Sequence, residues 1–249
     1  MHEVLDPERI YVTVDILALA IREGRLSLLL ARRKNEPFAG KLALPGRFIG
    51  RNETAEDAVH ALMEEMIPVS GLYMEQLYTF TEADRDPRGR VISAAYLVIM
   101  PPQKLEEVLK LENVAVRPYG IMTGDSFPGL TGEDGTGIQK EDLAFDHGAI
   151  IETGVRRLQG KIDYTDIGFH FLRNPSAFSL SELQTVFEAV LGTPLDSSNF
   201  RRGILNRYEK TGRLWQTAQE EKRGRGRPAV LYRIDLQERS GKSWRSGST

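Results

Sequence analysis

The sequence predicts a mixed α/β (α+β) protein in two parts. An α/β domain covers residues 1–157. A smaller domain of two helices and two strands covers residues 158–238, and a polar tail at 239–249 is expected to be disordered. Three observations carry this. Apolar, β-branched runs at Tyr11–Ile21, Leu26–Ala31 and Val91–Met100 bracket a helix-periodic segment at Thr54–Met66. After Leu158 the pattern changes to capped helices and short strands. The charge is also unevenly placed. The 249-residue chain carries a net −2, yet residues 201–233 hold ten basic side chains against three acidic ones.

The elements follow in order. Arg22-Glu23-Gly24-Arg25 is a turn signal between the first two apolar runs, which predicts a hairpin. Leu44-Pro45-Gly46 and Gly50 punctuate a loop. Between Thr54 and Met66 there is no Gly or Pro, and Ala58, Val59, Leu62, Met63 and Met66 repeat at helical spacing. Leu77–Phe80 and Val91–Met100 read as strands separated by the charged turn Asp84–Arg90. Gly120–Gly137, rich in Gly, Thr, Asp and Pro, reads as a long surface loop, and Asp146–Leu158 as a helix. Ser179 and Glu182 form a capping-box signature for a helix through Leu191, which Gly192 stops. Asp196-Ser197-Ser198 caps a second helix ended by Gly212. Leu214–Ala218 and Val230–Ile234 are short strands around the basic turn Lys222–Pro228. The order helix, helix, strand, basic turn, strand is that of a winged helix.

Composition excludes several classes. Without cysteine there is no disulfide, thiolate metal site or cysteine nucleophile, which fits a reducing cytoplasm. Met1–Pro7 has no basic segment followed by an apolar core, so no secretory signal is expected. Val91–Met100 is too short to span a bilayer, so no membrane association is expected.

The basic excess in the second part is the electrostatic footprint of a phosphate-binding surface. Asn199, Arg201, Arg202 and Asn206 fall early on the presumed recognition helix, where base-edge contacts arise. Lys222, Arg223, Arg225 and Arg227 fall in the wing, where a thin glycine-rich backbone suits a narrow minor groove or a phosphate track. These eight are the candidate DNA-binding residues.

Lys41–Pro68 resembles the Nudix hydrolase signature, in which a glycine precedes a glutamate and then an Arg-Glu-apolar-x-Glu-Glu-x-Gly helix. Glu53 fills the first glutamate, while Arg47 and Pro68 stand at the glycines and Ala61 and Leu62 at the Arg-Glu pair. The Glu-Glu pair falls on Glu65 and Met66. The flanks agree: Arg33, Pro37-Phe38, Gly40, Leu44-Pro45-Gly46, Thr54 and Ala58. Positions 62, 65 and 66 lie at i, i+3 and i+4 on one helix face, where a working box places three carboxylates for Mg²⁺ or Mn²⁺. Here that face holds Leu62, Glu65 and Met66, and one carboxylate is too few for pyrophosphate hydrolysis. No catalytic or metal-ligating residue is therefore assigned.

Together the halves resemble the Nudix-related transcriptional regulators, the group that contains the NrtR repressors of NAD metabolism. The further pieces carrying this are Asp84-Arg85-Asp86-Pro87-Arg88-Gly89-Arg90, Leu143–His147 and Gly226–Tyr232. The resemblance implies a Nudix α/β/α sandwich that senses ADP-ribose or a sugar phosphate, a C-terminal winged helix on a palindromic operator, and a homodimer. On that basis the chain is expected to be a repressor without enzymatic activity, needing no cofactor beyond its effector. Arg33, Arg47, Arg85 and Arg88, with Glu65, are the candidate ligand-binding residues, because guanidinium forks match phosphate oxygens. His147, near a helix start, reads as a capping or packing residue. The alternative is a pyrophosphatase with unusual ligands drawn from Glu53, Glu56, Glu64 and Glu65. A third reading is a scaffold that binds protein or RNA.

Overall fold

The computed structural model describes residues 6, 8–112, 114–122, 128–221 and 228–236. Its first two strands, β1 (Tyr11–Arg22) and β2 (Arg25–Arg32), form the expected hairpin. Glu23 and Gly24 both take positive φ, 51° and 73°, which matches the right-handed twist of a two-residue hairpin. Two short strands, β3 (Leu42–Ala43) and β4 (Gly46–Phe48), pair with β2 and β1. Next come α1 (Ala55–Met66), β5 (Tyr73–Phe80), β6 (Val91–Met100) and α2 (Pro102–Leu109). β6 runs parallel to β1 from Tyr11↔Val91 to Ala20↔Met100.

The expected loop at 120–137 is corrected. β7 (Val116–Met122), β8 (Gly129–Thr131) and β9 (Gly137–Ile138) extend the sheet to the order β5-β6-β1-β2-β7-β8-β9. Their buried residues are Val116, Pro118, Ile121 and Leu130, and Pro118, Gly120 and Gly129 interrupt the apolar pattern that would have marked strands.

Alternation along β1 creates two layers. Val14, Ile16, Ala18 and Ala20 pack with Val59, Leu62, Leu105 and Val108 of α1 and α2. Leu17, Leu19 and Ile21 pack with Ile150, Ile151 and Val155 on the other face. The latter residues belong to α3 (His147–Ile162), a helix that runs unbroken across the expected 157/158 junction. Gly154 permits its close approach, because a Cβ there would meet Leu17 Cδ2 at 2.0 Å.

The C-terminal part consists of β10 (Phe178–Ser179), α4 (Leu180–Leu191), α5 (Ser197–Ile204), β11 (Leu214–Glu221) and β12 (Ala229–Ile234). The strands form a sheet in the order β10-β12-β11. Ser179 caps α4 by accepting the Glu182 N–H at 3.1 Å, and Gly192 ends that helix in the left-handed conformation. Asp196 caps α5 by accepting the Asn199 N–H at 2.8 Å. After Ile204 the helix widens into an i→i+5 turn over Leu205–Glu209. This part shares one apolar cluster with α3: Leu158 and Ile162 join Leu183, Phe187, Val190 and Tyr208. No helix among the described residues is long and apolar enough to cross a membrane.

Candidate functional site

Asp15 is a charged residue inside the apolar β1 run, on the face that α3 covers. Only 5% of its surface is exposed, so its carboxylate requires partners. Ser93 Oγ donates to Oδ2 at 2.5 Å, and Arg85 Nη2 donates to the same oxygen at 3.4 Å. Oδ1 lies 3.6 Å from His147 Nε2. Gly46 makes room for this, since a Cβ there would meet Asp15 Oδ1 at 2.1 Å.

Arg85 is the hub of the cluster. It is 6% exposed and holds Asp146 through two bonds, Nε at 2.9 Å and Nη2 at 2.7 Å. Burial pulls its pKa down, but Asp146, Asp15 and Asp86 carry it above the usual arginine value. His147 is buried, and burial lowers its pKa despite Asp15 and Asp146. Its Nδ1 accepts the Leu44 N–H at 2.9 Å, which requires that nitrogen to be unprotonated. The packing role expected for His147 therefore includes satisfying a buried backbone amide.

A cleft opens above this cluster. Its wall comprises Thr13, Asp15, Arg33, Leu44, Gly46, Arg47, Phe48, Arg85, Asp86, Arg88, Phe145 and His147, around about 150 Å³ of free space. Sites that enclose a whole ligand measure roughly 300 Å³ and upward, so a nucleotide-sized molecule held here projects partly into solvent.

All four arginines singled out from the sequence converge on this cleft, but with different freedom. Arg47 Nη2 pairs with Glu53 at 3.1 Å. Arg88 makes a fork with Asp86, with Nε at 3.0 Å and Nη2 at 2.8 Å. Burial raises the Asp86 pKa, yet the bonds from Arg88 hold it below the usual carboxylate value. Arg33 differs: among the described residues no carboxylate pairs with it. Its Nε donates to the Pro37 carbonyl at 2.9 Å, and its guanidinium lies 4.6 Å from the Phe145 ring centre. Burial and the neighbouring Arg88 charge lower its pKa.

Phe145 and Phe38 meet edge-to-face at 5.0 Å, and both take positive φ, 53° and 65°. For a bulky residue that conformation costs on the order of 1–3 kcal/mol and persists where the surrounding structure enforces it, commonly at ligand sites. Sequence reasoning missed Asp15, Phe48, Asp86 and Phe145 as cleft residues. The lone charge within the β1 run was the signal for Asp15, and Asp86 and Phe145 stood inside the segments Asp84–Arg90 and Leu143–His147 that carried the resemblance.

Glu65 does not line this cleft. It lies exposed on α1 beside Glu64, while Leu62 on the same helix is 2% exposed and faces the sheet. Glu53 is held by Arg47 and by the Gly50 N–H at 2.7 Å. Among the described residues no three His, Asp or Glu side chains converge as metal ligands.

On the helix–turn–helix, Asn199, Arg201, Arg202 and Asn206 are all exposed on α5 and the turn that follows. Arg202 Nη2 donates to Asn199 Oδ1 at 2.6 Å. Arg201 is turned back, donating to the Tyr232 hydroxyl at 3.0 Å. Lys222, Arg223, Arg225 and Arg227 lie outside the described residues.

Comparison with known proteins follows both halves. A family model described as the NrtR DNA-binding winged helix domain matches residues 168–234. The chain is 30% identical over 229 residues to the ADPR responsive transcriptional repressor NtrR of Acinetobacter baylyi, covering 91% of this chain and 83% of that one. Shewanella oneidensis NrtR, solved in complex with a 27mer DNA, superposes with a TM-score of 0.69 at 31% identity, over 90% of this chain and 93% of that one. A MutT/nudix family protein from Enterococcus faecalis superposes with a TM-score of 0.72 at 27% identity, over 94% and 90% of the two chains.

Proposed function

The chain belongs to the NrtR family of transcriptional repressors, and on that premise we propose that it binds operator DNA through its winged helix and senses ADP-ribose, or a related sugar phosphate, in the Arg33–Phe145 cleft. One observation carries the reading. A cleft lined by four guanidiniums and two phenylalanines sits at the start of α3, and the other end of that helix packs into the DNA-binding part. Sensing thus belongs to the part through about residue 157 and DNA contact to the part from 158, with α3 common to both. The degenerate box supports binding without hydrolysis, because Leu62 and Met66 stand where metal-holding carboxylates are needed. The protein acts as a symmetric homodimer, and two winged helices meet a palindrome with half-sites about one helical turn, or a multiple of it, apart.

Within the cleft Arg33 is the guanidinium that can take a phosphate without releasing a carboxylate, since Arg47, Arg85 and Arg88 each hold one. Arg33→Ala is expected to weaken ADP-ribose binding about tenfold to a hundredfold, the loss of one charge-assisted pair. It is expected to leave the melting temperature of the free protein nearly unchanged. Calorimetric titration of both proteins checks this, and equal affinities would remove Arg33 from the site. If ADP-ribose fails to raise the melting temperature of the wild type, the effector itself is wrong.

Arg202 is the expected base reader on α5. Asn199 orients its guanidinium, and a forked contact to a guanine edge is worth about 1–3 kcal/mol of discrimination. Arg202→Ala is therefore expected to relax preference at one operator position per half-site, while Arg201→Ala, whose native side chain is held by Tyr232, leaves the preference pattern intact. Selection of duplexes from a random pool by each variant reads this directly. An unchanged selected sequence for Arg202→Ala would reassign the contact.

A further inference from the structure

Asp146 occupies the N-cap position of α3 but its side chain does not cap the helix. The N-cap residues of α1, α4 and α5, which are Thr54, Ser179 and Asp196, each accept a first-turn amide. The Asp146 carboxylate is drawn away by the two-bond fork from Arg85. Arg85 is buried, with 3% of its side chain exposed, and its guanidinium forms part of the cleft wall. The first-turn His147 and Ala149 N–H groups donate to the Ala144 and Asp146 carbonyls, so Asp146 has two competing partners: the arginine under the ligand site and the Gly148 amide of its own helix. α3 is a single 16-residue helix. Towards its far end, Gln159 Nε2 donates to the Val190 carbonyl of α4 at 3.1 Å, and Leu158 and Ile162 lie in the core shared with α4.

We propose that Asp146 is the positioning residue that transmits occupancy of the cleft to the DNA-binding part. A phosphate in the cleft takes the Arg85 fork, and the released carboxylate turns onto the first-turn Gly148 amide of α3, shifting the helix against α4. The exchange is chemically balanced. An arginine fork binds phosphate and carboxylate with like geometry, and the carboxylate given up gains a helix N-terminus, where amides and dipole both favour it. Near balance is what lets a ligand move a two-state element. This inference rests on the reading that the cleft binds an anionic ligand, and it goes further by naming the group whose displacement carries the signal.

The test uses the full-length protein, ADP-ribose, and a palindromic duplex selected from a random pool on the wild type. Duplex affinity is measured by anisotropy with and without saturating ADP-ribose, and ADP-ribose affinity by calorimetry, for wild type, Asp146→Ser and Asp146→Ala. Serine caps a helix but cannot hold the arginine fork; alanine does neither. Asp146→Ser is expected to bind ADP-ribose about fivefold more tightly, because the competitor for Arg85 is gone. Its duplex affinity without ligand should match that of the liganded wild type and change less than about twofold on adding ADP-ribose. Asp146→Ala is expected to share the tighter ligand binding but not the liganded-like duplex affinity, a split that a purely structural role would not produce. Asp146→Asn, which keeps the size and the capping oxygen, supplies the same comparison if serine lowers the folded fraction.

An Asp146→Ser protein with wild-type ADP-ribose affinity and the full wild-type change in duplex affinity would overturn the proposal. A wild type that does not bind ADP-ribose would remove the effector reading, and this inference with it.

Discussion

Arg85→Ala is expected to lower the thermal midpoint by about 10 °C, the largest stability loss of any single change in the cleft. Arg85 satisfies Asp15 and Asp146 at once, and both it and Asp15 are almost wholly inaccessible to water. Removing the guanidinium leaves Asp15 with Ser93 and a neutral His147, and leaves Asp146 without its fork. Breaking a buried pair from one side costs roughly 3–5 kcal/mol, because the remaining charge stays desolvated and uncompensated. For a chain of this size each kcal/mol moves the midpoint by about 2–4 °C. Arg85→Lys should lose less, since an ammonium restores the charge but not the planar fork. Pairing Arg85→Ala with Asp146→Asn should recover part of the loss, because one of the abandoned charges is then gone. Calorimetric melting of the four proteins decides the matter, and a midpoint within about 2 °C of wild type for Arg85→Ala would mean that water enters the cluster freely.

The second large effect concerns the degenerate box. Leu62→Glu restores a family carboxylate by sequence, yet it is expected to cost at least about 3 kcal/mol and to yield no hydrolysis. Leu62 is 2% exposed and packs among Val14, Ile16 and Val98 beneath α1. A glutamate there forfeits the apolar burial and must either bury a carboxyl or distort the helix. The midpoint should fall by about 6–12 °C. Adding Met66→Glu, at a half-buried position near the helix end, should cost less and still leave ADP-ribose intact in the presence of Mg²⁺ or Mn²⁺. Glu53 remains engaged by Arg47 and Gly50 in both variants. A stable Leu62→Glu/Met66→Glu protein that turns over ADP-ribose, with turnover abolished by Glu65→Gln, would show that the lost ligands alone separate this chain from a hydrolase.

Both expectations depend on features of unequal visibility in the sequence. The hairpin at Glu23-Gly24, the caps Ser179 and Asp196, and the stop at Gly192 were all legible, because each is decided within about four residues by turn and capping chemistry. The α1 stripe was legible for a related reason: a helix repeats its buried face at a fixed period. Strands β7 to β9 were not, since Pro118, Gly120 and Gly129 interrupt their apolar pattern, and only pairing of β7 with β2, then β8 with β7 and β9 with β8, makes them a sheet.

The same division runs through the cleft. The sequence by itself determined that four arginines accompany a box short of carboxylates and that a capped helix pair carries a strongly basic segment. Tertiary structure decided what each arginine does. Arg88 finds Asp86 two residues away and Arg47 finds Glu53 six residues away. Arg85 is claimed by Asp146, 61 residues distant, and by Asp15, 70 residues distant. Arg33 is left facing a phenylalanine ring. No local rule assigns Arg85 its two distant partners. Residue type and spacing set which groups must be neutralised once buried, but the stacking of β1 against α3 determines which opposite charge is within reach when water is excluded.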